Sequence, residues 1–394
     1  MGDIYKHSFL TIAARAARNS DEGCFFTRNQ DVTTCKVEYK HQAISAAGTI
    51  YFLDPAFRLE RLKDMPLDSR GWVLQEKLLS PRILYYGAQQ MYWECRQASL
   101  RQDGKFYGTQ HDGLTPAKFK DMLDVFAPFQ SIFRGFYGPA VPDWGEKRRE
   151  LAARMAQWYN LVEEYSLRQL SFDSDKLAAI AGIAKEYARL TASSYVAGLW
   201  REDILVGLLW YRKASDLPIS NTLPSWSWAR FGGQISFWAT TSAGLRVPDD
   251  SCEFVGLSFR QRDDALGNYG EVDDARIEIR GRILPVRCRT MDSPLPYEPP
   301  RSYLFDQDEA QVGEARLDTP DFVSPADELY VLLVYAGGGD RRQRPVGLLL
   351  SREKRDISFR RIGYVWIHNG GSLLGGTDGR DLFRDVSPQT LYLV

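Results

Sequence analysis

The chain has 394 residues, 44% hydrophobic and 26% charged, which is enough apolar side chain for a sizeable core and rules out a disordered tail. Its 51 acidic and 50 basic residues nearly cancel, leaving no global field to draw in nucleic acid. Short basic clusters at Lys147-Arg148-Arg149, Arg341-Arg342 and Arg360-Arg361 fit solvated faces and loop tips.

In chain order, Met1 to His7 has the character of the last turn or two of a helix. Phe9 to Ala14 (FLTIAA) is a short β-branched run suited to a buried strand, and Arg15 to Lys36 is polar and loop-like. Asp68 or Ser69 is placed to cap a helix that runs from Trp72 to Leu79 and stops at Pro81. Strands follow at Ile83 to Tyr86 and Gln90 to Cys95, separated by a turn at Gly87.

From about residue 108 the pattern becomes helical. Leu151, Met155, Trp158, Val162 and Tyr165 recur at spacings of four and three, one apolar face of a long helix. A second helix is expected over Asp175 to Leu190, capped by Asp173 or Ser174. Its small residues Ala178, Ala181, Gly182 and Ala184 suit a close neighbour, Asp175 an N-terminal charge, and Lys176 a solvated position. Trp226 and Trp228, two apart after Pro224, fall on one face if extended, either as an aromatic ligand shelf or as packing between domains.

From residue 231 the chain reads as all-β. Arg276 to Val286 alternates with Ile277, Ile279 and Ile283 on one face. Leu329 to Tyr335 and Val346 to Leu350 flank Gly337-Gly338-Gly339, which reads as a hairpin loop because a strand and not a helix follows it. Phe359 to Ile367 and Leu391 to Val394 supply further strands. The expected fold is therefore an α+β multidomain chain. Residues 1–107 form a mixed first domain, 108–230 a helical region, and 231–394 an antiparallel β-sandwich or barrel.

The five cysteines (Cys24, Cys35, Cys95, Cys252, Cys288) are odd in number and lack a CxxC pair, which fits reduced thiols. His7, His41, His111 and His368 form no metal-binding spacing. Ser8 to Ala17 is too short and interrupted to span a membrane. Lys6 stands where an N-myristoylation motif wants Ser or Thr, and the C-terminus has no prenylation cysteine. No GxSxG elbow or other nucleophile block is present. A cytoplasmic protein with no membrane span, no metal and no nucleic-acid partner is expected.

Three groups of residues resemble a known family. Met1-Gly2-Asp3-Ile4-Tyr5 with Phe9-Leu10-Thr11-Ile12-Ala13-Ala14 looks like the middle of a fungal heterokaryon-incompatibility (HET) domain. Arg70-Gly71-Trp72-Val73-Leu74-Gln75-Glu76 with Leu79-Ser80-Pro81-Arg82-Ile83-Leu84-Tyr85-Tyr86-Gly87 resembles that domain's most recognisable block, in which Trp72, Gln75, Ser80 and Arg82 are motif positions. Trp93-Glu94-Cys95 is similar to its closing strand. Asp175 to Ala184, Gly198-Leu199-Trp200 and Pro224-Ser225-Trp226-Ser227-Trp228-Ala229 resemble segments that follow HET domains, with Trp226 and Trp228 as motif positions. HET domains usually open upstream with Ser-Tyr-x-Trp-Gly and Trp-x-Asp-x-x-Cys-Ile segments. Neither is in this chain, so residues 1–107 are expected to be the C-terminal half of an N-terminally truncated domain.

The resemblance implies a signalling or interaction protein of fungal non-self recognition and programmed cell death, working through protein partners and without a cofactor. HET domains are also distantly similar to Toll/interleukin-1 receptor (TIR) domains, which implies a partial TIR-like α/β fold. Some TIR domains cleave NAD with a helix-borne glutamate, in plants within a Trp-Cys-Leu-x-Glu block. Trp72-Val73-Leu74-Gln75-Glu76 matches that block apart from Val73, so Glu76 is the candidate catalytic residue and NAD the candidate substrate. The plain alternative is that Glu76 pairs with Arg70 or Arg82 and fixes the helix to the next strand.

Overall fold

The computed structural model describes residues 1–27, 35–41, 46–52, 65–95, 97–102, 146–213, 220, 222–240, 251–262, 266–291, 301–319, 328–336, 345–353, 357–368 and 382–394. The chain divides into two compact units, Met1–Lys120 and Asp121–Val394.

The first unit opens with the short helix α1 (Gly2–Lys6) and strand β1 (Thr11–Ala13). Strands β2 (Cys35–His41) and β3 (Ala46–Phe52) pair as an antiparallel hairpin, so the polar stretch that begins at Arg15 ends in a strand. Helix α2 (Gly71–Leu79) leads into β4 (Arg82–Tyr86), β5 (Met91–Cys95) and β6 (Ser99–Arg101). The sheet order is β1-β4-β5-β6. β1 and β4 run parallel, which requires a crossover connection, and α2 lies in it. Alternation along β4 and β5 turns Ile83, Tyr85 and Tyr92 inward, and α2 buries Val73, Leu74, Leu78 and Leu79. The start of α2 corrects one expectation. Asp68 and Ser69 belong to a 3-10 turn, Pro66–Ser69, and Arg70 takes the cap position without a side-chain bond. Asp68 is drawn instead to the buried Arg15, whose guanidinium needs a counter-charge more than the helix end needs a cap.

The second unit begins with α3 (Glu146–Ser166) and α4 (Asp175–Thr191). The predicted face of α3 is inside: Met155, Trp158, Val162 and Tyr165 are buried, and Leu151 is half-buried. Trp158 sits edge-on to Trp200 at 5.1 Å between ring centroids and to Tyr195 at 5.7 Å. After α4 come a small hairpin, β7 (Tyr195–Val196) and β8 (Leu199–Trp200), then the single turn α5 (Ile204–Gly207). β9 (Trp210–Arg212) pairs with β10 (Ile235–Phe237). Trp226 and Trp228 lie on no strand: the segment is a turn running into a 3-10 helix, Trp228–Arg230.

The rest of this unit is one nine-stranded sheet. Its strands are β11 (Cys252–Gln261), β12 (Val272–Gly281), β13 (Ile283–Met291), β14 (Arg301–Phe305), β15 (Gln311–Leu317), β16 (Leu329–Tyr335), β17 (Val346–Arg352), β18 (Ser358–Ile367) and β19 (Gln389–Leu393). The order is β11-β12-β19-β18-β15-β14-β13-β16-β17, and β17 returns to pair with β18. The six strands from β13 to β18 thus close into an antiparallel barrel around Leu304, Val331, Leu333, Leu349, Ile362 and Val365, while β19, β12 and β11 continue the sheet outward. Arg276 to Val286, expected as one strand, is broken at Arg282 into β12 and β13. Ile277, Ile279 and Ile283 are nevertheless all buried. The run Gly337-Gly338-Gly339 and the pair Arg341-Arg342 lie outside the described residues, between the antiparallel β16 and β17. Two side chains expected in solvent are buried, Lys176 and Arg361.

Candidate functional site

Glu76 stands on the fourth-residue spacing of α2 that also carries Trp72 and Ser80, and this side of the helix faces α1. Tyr5 reaches across and donates its hydroxyl to the Glu76 carboxylate. The two backbones are joined by a chain of hydroxyls. Ser80 Oγ donates to Glu76 O at 2.6 Å and lies 2.7 Å from Thr11 Oγ1, which lies 3.1 Å from Ser8 Oγ. Ser8 Oγ in turn donates to Tyr5 O at 2.8 Å. Ser80 and Ser8 each donate to a carbonyl, so Thr11, with one proton, donates to Ser80 or to Ser8, and Tyr5, Ser8, Thr11, Ser80 and Glu76 line one polar seam through α1, β1 and α2.

Burial raises the pKa of the Glu76 carboxyl, opposed by the Tyr5 hydrogen bond and the positive charge of Arg70. Burial, followed by the charge of Glu76 and its hydrogen bond, pushes the Tyr5 phenol up to about 12. Of the two arginines expected near Glu76, Arg70 acts on it through its charge. Arg82 turns away, donates to Phe9 O at 3.3 Å and stacks on the Phe9 ring. Gln75 is buried and Trp72 half-buried on the same helix. Tyr5, Ser8 and Thr11 were not foreseen from the sequence, because their hydroxyls carry no periodic signal.

A second polar group lies beneath α2. Arg15 pairs with Asp68 at 2.5 Å, and its guanidinium lies 4.6 Å from the Tyr85 ring centre. Tyr85 donates to Glu94 Oε2 at 2.8 Å. Burial raises the pKa of Glu94, with Lys77, Tyr85 and Arg15 opposing the rise and Asp68 adding to it. Two cations and two carboxylates, all nine-tenths buried or nearly so, thus sit within one network. Such networks fix geometry more than they add stability.

In the second unit the three family-like segments meet. The Trp228 indole N–H donates to Gly198 O at 2.8 Å, Ser227 Oγ to Ala197 O at 2.7 Å, and Trp210 Nε1 to Trp226 O at 3.0 Å. The ammonium of Lys176 donates to Phe231 O and lies 5.7 Å from the Trp228 ring centre. Burial lowers its pKa to about 8, helped by Arg212 and opposed by Asp173. Ser225 Oγ accepts from Arg361 N at 3.0 Å, and the Arg361 guanidinium pairs with Asp318 and caps Leu208 O and Trp210 O. Trp226 and Trp228 are wholly enclosed, so the pair is internal packing and not an open shelf. Arg361 was expected at the surface, but it is held inside because Asp318 and two carbonyls satisfy it.

Glu76, Ser80 and Arg82 therefore belong to the first unit, with Trp72 and Gln75, while Trp226 and Trp228 belong to the second. Among the described residues no helix is long and apolar enough to cross a membrane. No curated protein and no solved structure matches the chain. Residues 1–76, from α1 through β1 to Glu76, match the family model described as "Heterokaryon incompatibility protein (HET)".

Proposed function

We propose that the chain is a cytoplasmic signalling protein of the heterokaryon-incompatibility type. In this reading it serves fungal non-self recognition and programmed cell death through contacts with protein partners and catalyses no reaction itself. The observation that carries this reading is the engagement of Glu76 within the segment that matches the HET family model. Its carboxylate takes the Tyr5 hydroxyl and so holds α1 to α2, a use for the residue that needs no substrate. The parallel pairing of β1 with β4 across α2 supports a partial TIR-like α/β arrangement for this unit.

One observation favours a second reading, NAD cleavage by Glu76. The carboxylate is half-buried and its pKa is raised. A carboxylate in that setting can bind ribose hydroxyls and stabilise the positive charge that grows as nicotinamide leaves.

The test has two arms. Induced expression of the chain in a filamentous fungus should arrest growth and admit a vital dye, and Glu76→Gln should act in proportion to its folded amount. Purified protein given NAD should release no nicotinamide. Absence of any growth effect would remove the signalling reading, and release that disappears in Glu76→Gln would replace it with the enzyme.

A further inference from the structure

The nine-stranded sheet closes on itself where β17 meets β18, and among the described residues β11 is left as its open edge. β11 pairs with β12 along Cys252–Gln261. On its far side no backbone bond joins Glu253–Gln261 to any other described element. A long run of unpaired N–H and C=O groups is a template for another strand.

The side chains of β11 are arranged about a centre. Phe254 lies opposite Ile279 of β12 and Gly256 opposite Glu278, so Val255 is an extra, bulged residue. The bulge shifts the alternation by one. Phe254, Leu257 and Phe259 therefore share the face on which β12 carries Ile279 and Ile277, and they are half-buried, while Glu253, Ser258 and Arg260 share the exposed face. From Phe254 to Leu257 the partner strand advances only two steps, Ile279 to Ile277. In ladder steps Phe254 and Phe259 are thus equally far from Leu257, and so are Glu253 and Arg260.

We infer that β11 docks on β11 of a second copy of this chain, antiparallel and about a two-fold axis at Leu257. That axis sets Phe254 opposite Phe259 of the second copy and Glu253 opposite its Arg260, each on the face its counterpart occupies. Charges then alternate across four strands. Arg280 and Glu253 of one copy, neighbours in the ladder, are followed by Arg260 and Asp273 of the other, also ladder neighbours. Arg260 is accessible for this, because its side chain is 69% exposed even as it reaches Asp274 at 3.0 Å. A slip of one step would set buried-face side chains against exposed-face ones. A parallel pair in register would set Glu253 against Glu253 and Arg260 against Arg260, so the charges select the antiparallel dimer. A foreign strand would have no use for this symmetry.

The experiment is sedimentation velocity on the full chain across the micromolar range, with Glu253→Arg and Arg260→Glu chains run singly and as an equal mixture. The natural chain should show a monomer–dimer equilibrium. Each variant sets like charges at both ends of the strand pair, so its dimerisation constant should fall about tenfold or more at low salt, with the loss shrinking in concentrated salt. The mixture restores both opposite pairs and should recover dimer, which misfolded variants would not do. A natural chain that stays monomeric would overturn the inference. So would a dimer that both substitutions leave unchanged, or a mixture no more dimeric than its parts.

Discussion

Gly198→Ala puts the interlock of the second unit under direct strain. Gly198 has φ +97°, and a Cβ there would lie 2.5 Å from Trp228 Nε1 and 2.9 Å from Trp228 Cε2. Trp228 has no exposed surface and donates to the carbonyl of that same glycine, so it cannot swing aside without losing its bond. The backbone conformation costs about 1–3 kcal/mol for a residue with a side chain. Overpacking adds typically about 1–3 kcal/mol, and an orphaned buried N–H about 1–3 kcal/mol. One relaxation serves the last two costs, so a total loss of about 2–6 kcal/mol is expected. Gly267→Ala is the control, because Gly267 also has positive φ, +58°, but nothing lies within 4 Å of its added methyl. It should lose only about 1–2 kcal/mol, the cost of the left-handed backbone. Urea unfolding of the full chain followed by tryptophan fluorescence measures both, with the slope checked for constancy. Equal midpoint shifts in the two variants would show that Trp228 does not press on Gly198, and the described meeting of the three segments would be wrong.

Trp158→Ala should cost about 3–5 kcal/mol, as expected for an enclosed aromatic, given its edge contacts to Trp200 and Tyr195. A loss below about 1 kcal/mol in the same unfolding assay would place that face of α3 at the surface. Lys176 provides a pH signature in stability. With its folded pKa lowered to about 8, the folded chain binds fewer protons than the unfolded chain from pH 8 to the ordinary lysine value, so this residue's contribution to stability rises with pH. Lys176→Met should flatten that rise between pH 8 and 10, and an unchanged slope would show the ammonium to be solvated.

Elements were legible in the sequence where side chains repeat with the period of a helix or strand. The four-three spacing through Met155, Trp158, Val162 and Tyr165 describes the buried face of α3, and short apolar runs bounded by polar or turn residues locate β4, β16, β17 and β18 to within a residue or two at their ends. Positions were misjudged where one polar residue satisfies another far along the chain. Nothing local to Asp68 shows that Arg15 will claim it, and nothing local to Arg361 shows Asp318. Each was therefore given its commonest local role, a helix cap and a solvated charge. Lys176 was misplaced for the same reason, since its acceptor is a carbonyl in Phe231. Alternation also misled once, because the apolar phase runs from Ile279 to Ile283 across the break at Arg282 and hides the change of strand. At the candidate site the motif supplied Glu76 but not its partner. Tyr5 comes from another element, and only the parallel placement of β1 beside β4 brings it near.

Strand β18 gives the barrel a fixed order of completion. It pairs with β17 on one side and with β15 on the other, so the ring stays open until residues 358–367 have left the ribosome. Before then the nascent chain carries two unpaired edges, β15 and β17, each able to recruit a strand from a neighbouring polypeptide. A stop codon or a long translational pause ahead of Ser358 would therefore be far more harmful than its distance from the first unit suggests. The β15–β18 pairing also joins segments well separated in the chain, which slows closure relative to the local hairpins. Products that end before β18 should be cleared by proteolysis or found in aggregates, while losses confined to β19 would leave the ring itself intact.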